Sequence, residues 1–123
     1  MTRLICRTGI GPEAFAYVSS DGPFSGLQIP SDADQLSFYL KNGFYITSSY
    51  YILRPEVLES NFYAWRVTGD EKYLSRAQAA IESFRTHLRV GEGGYPGLFD
   101  VMDPSQKVDD TESFWYAETL KYL

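Results

Sequence analysis

The stretch Tyr51-Ile-Leu-Arg-Pro-Glu-Val-Leu-Glu-Ser60 places an arginine, a proline and two glutamates between Arg54 and Glu59. Proline is favoured at the first position of a helix, and it pushes the residue before it toward an extended conformation. A helix is therefore predicted to begin at Pro55, with Glu56 in its first turn and Glu59 on the same face. Free N–H groups and the helix dipole favour an ionised carboxylate there. The pattern predicts a polar cluster suited to holding a water or a hydroxyl; the alternative is an ordinary helix start with surface acids.

A second proline–glutamate pair occurs in Thr8-Gly-Ile-Gly-Pro-Glu13. Pro12 again predicts an early helix position, with Glu13 beside it. If each carboxylate lies at the mouth of a helix, both could face a single cavity. The alternative is that proline followed by glutamate is simply a common way to open a helix.

The best-supported prediction is a pair of helices joined by a short turn. The first helix is expected to span residues 55–67 and to end near Thr68-Gly69, because glycine commonly follows the last turn of a helix. Asp70 can then cap a second helix of about residues 71–90, whose apolar side chains recur with the helical period. Together these segments predict an αα-hairpin.

The remaining segments carry weaker signals. Asn42-Gly43 is typical of a hairpin turn, so residues 37–41 are predicted to pair with residues 44–48. Residues 26–29 have weak strand character, and residues 91–110 form a loop with some extended structure. A last helix is predicted to run from Thr111 or Glu112 to the end of the chain.

Composition limits the class of protein. A chain of 123 residues with 44% hydrophobic content fits one globular domain of modest size. A net charge of -5 disfavours binding to nucleic acid or anionic membranes, and no apolar run approaches the roughly 20 residues of a membrane span. The sequence shows no targeting signal. The lone Cys6 cannot form an internal disulfide, and the lone His87 excludes a multi-histidine metal site within one chain.

Four stretches in this order resemble the class I α-mannosidases of glycoside hydrolase family 47, which are α1,2-mannosidases. They are Thr8–Glu13, Tyr51–Ser60, Phe62-Tyr-Ala-Trp-Arg-Val-Thr-Gly-Asp70 and Glu112-Ser-Phe-Trp-Tyr-Ala-Glu-Thr-Leu-Lys-Tyr122. The resemblance implies a mainly α fold, part of an (αα)7 barrel with a short β-hairpin or loop insertion. It also implies removal of α1,2-linked mannose from high-mannose N-glycans, with inversion and one Ca²⁺, in the endoplasmic reticulum or Golgi or after secretion.

The resemblance assigns roles residue by residue. Glu56 matches the Arg-Pro-Glu carboxylate proposed as the base that activates water, and Glu13 matches a further acid of the active site. Arg54 matches a substrate-contacting arginine, and Phe114 matches the aromatic that packs on the mannose ring. Glu59 and Glu118 match acids that bind substrate or the waters around Ca²⁺. Glu112 matches a further acid whose role is less certain.

The chain also departs from the family pattern. Residues 1–123 are expected to be part of a catalytic domain several times longer. The family's upstream catalytic glutamate and aspartate are not in this sequence, nor is the Asn-Thr-Glu segment whose threonine binds Ca²⁺ directly. The isolated chain is therefore expected to be inactive. Two alternatives remain: a mannosidase-like lectin of ER-associated degradation that binds glycans of misfolded glycoproteins, or a different helical protein in which both proline–glutamate pairs are mere helix starts.

Overall fold

The computed structural model describes residues 7–21 and 28–123. Helices are its main regular elements, as predicted, and a two-stranded sheet accompanies them. The helices and strands, in chain order, are β1 (Ala14–Ala16), α1 (Ala33–Asn42), β2 (Tyr45–Ser48), α2 (Glu56–Thr68), α3 (Lys72–His87) and α4 (Phe114–Ala117), followed by a 3₁₀ turn (Thr119–Lys121).

The predicted helix pair is confirmed. Helix α2 ends at Gly69, which adopts the left-handed conformation with φ 67° and donates its N–H to the Trp65 carbonyl. Asp70 was predicted to cap the next helix, but the N-cap position of α3 falls on Glu71, which makes no side-chain cap bond. The Asp70 carboxylate instead accepts a hydrogen bond from the N–H of Lys72, the first residue of α3, at 3.0 Å. The side chain of Asn61 on α2 donates to the Tyr73 carbonyl on α3 at 2.7 Å, so the two helices are also joined by a side-chain bond.

The predicted hairpin around Asn42-Gly43 is wrong. Residues 33–42 form helix α1. Its start is capped by the Asp32 side chain, which accepts hydrogen bonds from the N–H groups of Asp34 and Gln35 at 3.1 and 2.9 Å. Gly43 is in the left-handed conformation and ends this helix, with its N–H donating to the Tyr39 carbonyl. An asparagine–glycine pair therefore serves here as a helix end, a position that needs the same positive φ as a hairpin turn.

The strand after Gly43 pairs with a distant segment instead. β2 lies antiparallel to β1, with a bulge between Ala14 and Phe15. The prediction of a helix start at Pro12 is also wrong, because the residues after Glu13 form strand β1 and not a helix. The N–H of Glu13 donates to the Tyr50 carbonyl at 2.7 Å, which extends the contact between these two segments toward the start of α2.

The last predicted helix is interrupted. Helix α4 ends after four residues, and Glu118 leaves the helical conformation with φ -134° and ψ -56°. A 3₁₀ turn follows, in which the Tyr122 N–H bonds back to both Glu118 and Thr119. The physical reason lies in tertiary contacts, since the hydroxyls of Thr119 and Tyr122 both reach residues near the start of α2.

The hydrophobic core lies between α2, α3 and α4. Phe84 of α3 stacks on Tyr51 with ring centroids 5.8 Å apart, and it meets Trp115 of α4 edge to face at 5.6 Å. Tyr95 stacks on the other side of Trp115 at 5.0 Å. The fully buried aliphatic side chains of this core are Leu53, Leu88, Leu98 and Val101. The core therefore packs directly beneath the segment that leads into α2.

Gly97 allows two chain segments to meet beside that core. Leu98 exchanges two backbone hydrogen bonds with Tyr51, at 2.8 and 3.0 Å. A Cβ at Gly97 would come within 2.5 Å of the Tyr51 carbonyl oxygen, so a larger residue cannot occupy this position without moving the backbone. The loop of residues 91–110 thus supports the segment that precedes α2.

Some predictions fall on residues outside this description. Cys6 lies there, and so does the first half of the predicted strand at residues 26–29, while Gln28 and Ile29 are in no strand. Within residues 7–21 and 28–123, none of the helices has the length and apolar character needed to cross a membrane.

Candidate active site

The start of α2 gathers polar groups without using a side-chain cap. Pro55 occupies the N-cap position, and no side chain there accepts a bond from the first N–H groups of the helix. Glu56 and Glu59 lie in the first turn, as predicted from the sequence. Because free N–H groups and the positive end of the dipole remain at this end, it is a favourable place for an anion or a hydroxyl.

Leu53, just before this helix, has an unusual backbone. Its φ is 69°, and it is the one non-glycine residue with positive φ among those described. A leucine in this conformation is strained, because its Cβ crowds the backbone. The side chain is nonetheless 1% exposed, and the Leu53 carbonyl accepts a 2.6 Å hydrogen bond from the buried hydroxyl of Thr119.

Glu13 and Arg54 form an ion pair although 41 positions separate them. Arg54 Nε donates to Glu13 Oε2 at 2.6 Å, and Glu13 Oε1 accepts from the Ile52 N–H at 3.4 Å. Glu13 is the less exposed partner, with 18% of its side chain accessible against 49% for Arg54. The predicted position of Glu13 at a second helix mouth is wrong, but its carboxylate still reaches the mouth of α2 through Arg54.

Further acids surround the same guanidinium. The hydrogen bond and charge of Glu13 raise the pKa of Arg54 above its ordinary value, and Glu56 and Glu112 add smaller attractive contributions. Glu112 also borders a recess of about 10 Å³, close to the space of one water molecule. The other residues that line this recess are Ile52, Leu53, Gly97, Val108 and Asp110.

The second predicted acid of α2 has its own partner. The hydroxyl of Tyr122 donates to Glu59 Oε1 at 3.1 Å, and Tyr122 is only 7% exposed. Burial, followed by the hydrogen bond and charge of Glu59, raises the pKa of Tyr122 to about 12. Tyr63 and Glu118 contribute in the same direction, which places the Glu118 carboxylate within electrostatic reach of this phenol.

The structure brings the predicted residues into two adjoining groups. In one group Arg54 is bonded to Glu13 and interacts electrostatically with Glu56 and Glu112. In the other group Tyr122 is bonded to Glu59 and interacts electrostatically with Glu118. They adjoin because Glu56 and Glu59 share the first turn of α2. Phe114, the first residue of α4, is half-buried against the core.

Sequence reasoning missed three residues of this region. No sequence pattern predicts the backbone of Leu53, because a leucine side chain does not favour a positive φ. Thr119 and Tyr122 lie in the stretch predicted to be a continuous last helix. The break in helix geometry at Glu118 turns both of them toward α2.

Several carboxylates close together can supply the acid–base chemistry that glycosidases use. The sequence profile of glycosyl hydrolase family 47 matches residues 2–123, and the chain belongs to this family. The alternative of an unrelated helical protein is thereby excluded.

The relatives are consistent with this assignment. A mannosyl-oligosaccharide alpha-1,2-mannosidase 1B of Aspergillus phoenicis is 46% identical over 117 residues, and a probable enzyme of the same name from Aspergillus niger is 45% identical. Each match covers 94% of this chain and 21% of the relative. An alpha-1,2-mannosidase from Trichoderma reesei superposes with a TM-score of 0.82 at 44% identity, over 94% of this chain and 23% of that enzyme. The chain thus spans about a fifth of the length of the relatives it matches.

Proposed function

We propose that the protein acts as a mannosyl-oligosaccharide 1,2-alpha-mannosidase, which hydrolyses α-1,2-linked mannose with inversion. The observation that supports this most strongly is the mouth of α2, where the Arg54–Glu13 ion pair and the Glu56 carboxylate lie together. The names of the relatives supply the substrate class. High-mannose N-glycans in the endoplasmic reticulum or Golgi, or outside the cell, are the proposed setting.

Glu56 is proposed as the base that takes a proton from the attacking water. It needs to be ionised for this role, and it lies in the first turn of α2, beside the free N–H groups at the positive end of the helix. An inverting glycosidase also needs a carboxylic acid about 6.5–9.5 Å away to protonate the leaving oxygen. Both oxygens of Glu13 already accept hydrogen bonds, one from Arg54 Nε and the other from the Ile52 N–H, so this carboxyl group is assigned to orienting Arg54. The acid is therefore proposed to come from a part of the catalytic domain outside these residues.

Arg54 and Phe114 are proposed to bind the sugar. Arg54 has one nitrogen engaged by Glu13, and about half of its side chain is accessible, so its remaining N–H groups can donate to mannose hydroxyls. Phe114 is only partly buried, and the exposed part of an aromatic ring suits the apolar face of a sugar. Glu13 enters the active site through Arg54, whose orientation it sets.

Ca²⁺ is proposed as the cofactor, held by this chain through water. Within residues 7–21 and 28–123 no three His, Cys, Asp or Glu side chains stand close enough to enclose a metal ion. Glu59 has one oxygen bonded to Tyr122, which leaves the other free to accept from a water, and Glu118 is exposed. These oxygens fit an outer position around a hard cation. The bound ion would hold sugar hydroxyl oxygens in place.

The (αα)7 barrel is proposed for the whole catalytic domain, of which residues 1–123 are one part. The paired helices α2 and α3 are compatible with such an arrangement. Because these residues span about a fifth of the matched enzymes, we expect the isolated chain to show no hydrolysis.

A chimera provides the test of function. The residues of this chain that match the Trichoderma reesei enzyme would replace the corresponding segment of that enzyme, since the backbones superpose with a TM-score of 0.82. We expect the chimera to release mannose from α-1,2-mannobiose and not from the α-1,6-linked isomer. The first product should be β-mannose, observed by NMR before it equilibrates.

The outcomes separate the alternatives. Release of α-mannose first would exclude inversion. A folded chimera that binds the disaccharide but does not cleave it would favour the lectin function. Cleavage by the isolated 123-residue chain would show that the rest of the domain is not needed.

A further inference from the structure

Leu53, which precedes the sequence Arg54-Pro55-Glu56, has two unusual properties. Leu53 is held at φ 69° although it is a leucine, and its side chain is 1% exposed. A strained backbone persists only where surrounding contacts hold it in place, and such residues cluster at functional sites. Something in the surrounding structure must therefore favour this conformation over the ordinary one.

The buried Thr119 side chain contacts this residue. Its hydroxyl donates to the Leu53 carbonyl at 2.6 Å across 66 positions of sequence, and Thr119 itself is 0% exposed. A buried carbonyl without a hydrogen-bond partner would be costly. The backbone of Thr119 is turned into position by the helix break at Glu118.

The Leu53 carbonyl belongs to the peptide that joins Leu53 to Arg54. After Leu53 the chain continues through Arg54 to Pro55, whose ring restricts its own φ and the conformation of the residue before it. Few free rotations therefore separate the Leu53 peptide from the Arg54 and Glu56 side chains. A rotation at Leu53 would move both of them relative to Glu13.

We infer that Thr119 is a positioning residue, which keeps Leu53 in its left-handed conformation and so aims Arg54 at Glu13 and Glu56 at the substrate. This inference rests on the proposed function for its catalytic consequence. Thr119 touches no substrate in this account, and it acts through the backbone of Leu53. A purely structural role would instead affect stability without altering the geometry at the mouth of α2.

The test compares Thr119→Val with Thr119→Ser in the chimera described above. Valine keeps the shape and removes the hydroxyl, whereas serine keeps the hydroxyl. We expect Thr119→Val to lower kcat at least about tenfold with a smaller change in KM, and Thr119→Ser to retain most of the activity. Leu88→Val, a change at another fully buried position away from the α2 mouth, provides a control for lost stability alone.

Equal kcat in the parent and in folded Thr119→Val would overturn the inference, and so would an equal loss in Leu88→Val. Crystal structures of the parent chimera and the valine variant add a readout that does not depend on activity. We expect Leu53 to leave the left-handed region in the variant and the Arg54–Glu13 bond to lengthen. An unchanged Leu53 would refute the inference even if the chimera proved inactive, whereas inactivity of a folded parent would count against the proposed function alone.

Discussion

The two ends of helix α2 are built in different ways. At its carboxyl end three local bonds end the helix and begin the turn: Gly69 bonds to Trp65, the Thr68 hydroxyl bonds to the Ala64 carbonyl, and Asp70 pairs with Lys72. At its amino end, the side-chain hydrogen bonds to Leu53, Arg54 and Glu59 come from residues more than 40 positions away. The comparison teaches that the bounds of a helix can be predicted from neighbouring residues. The chemistry at its amino end depends on distant residues.

The same contrast separates two ion pairs of equal length. Arg54–Glu13 and Lys72–Asp70 both have N–O distances of 2.6 Å. Lys72 and Asp70 are both well exposed, at 53% and 42%, and they belong to the same short turn. Glu13 is at 18%, and its pair joins the strand segment to the mouth of α2. Distance alone therefore does not distinguish a pair that shapes a site from an ordinary surface pair.

The largest expected effect is at the amino end of α2. Glu56→Gln in the chimera removes the proposed base while keeping the size of the side chain, so kcat for α-1,2-mannobiose should fall about a hundredfold or more. Glu71→Gln, at the start of α3, is the matched control and should leave kcat unchanged. Full activity in Glu56→Gln would remove Glu56 from the mechanism.

A smaller effect is expected when the long-range ion pair is broken. Glu13→Gln should lower kcat/KM about tenfold, because Arg54 loses its charged partner and its fixed orientation. Lys72→Ala breaks the local pair and should change neither kcat/KM nor the melting temperature appreciably, since exposed pairs contribute little. Steady-state kinetics and thermal unfolding of both variants make the comparison. Similar losses in the two would mean that the Glu13 pair has no special role.

The smallest effect is expected at Tyr122. Its pKa is raised to about 12, so the folded state holds the phenolic proton more tightly than the unfolded chain, whose tyrosines titrate near the ordinary value. The stabilisation from this group is present below about pH 10 and is lost as the pH rises toward 12. The difference in phenolate absorbance between the parent chimera and Tyr122→Phe should therefore titrate near pH 12. A midpoint near 10 would show that Tyr122 is not buried against Glu59.

The sequence predicted the local features of the fold well. The αα-hairpin followed from helical periodicity and the glycine after α2, both of which act over a few residues. The prediction of an acidic helix start at Pro55-Glu56 also held. These signals depend on backbone rules that apply whatever the rest of the chain does.

The errors have a common physical cause. Gly43 has a positive φ that suits either a hairpin turn or a helix end. The cap at Asp32 stabilises a helix before it, so Gly43 ends that helix. The position of Glu13 and the break at Glu118 depend on partners 41 to 66 positions away, which no local pattern encodes. The candidate residues around α2 can be predicted from sequence motifs. The contacts that the hydroxyls of Thr119 and Tyr122 make with this region are visible only in the structure.

The most direct test of the central claim is a crystal structure of the Glu56→Gln chimera with uncleaved α-1,2-mannobiose. The account predicts that the mannose ring lies at the mouth of α2, with Arg54 bonded to a sugar hydroxyl and the residue-56 side chain within about 3 Å of a water beneath the ring. A disaccharide bound elsewhere, with Arg54 and residue 56 facing only solvent, would contradict it.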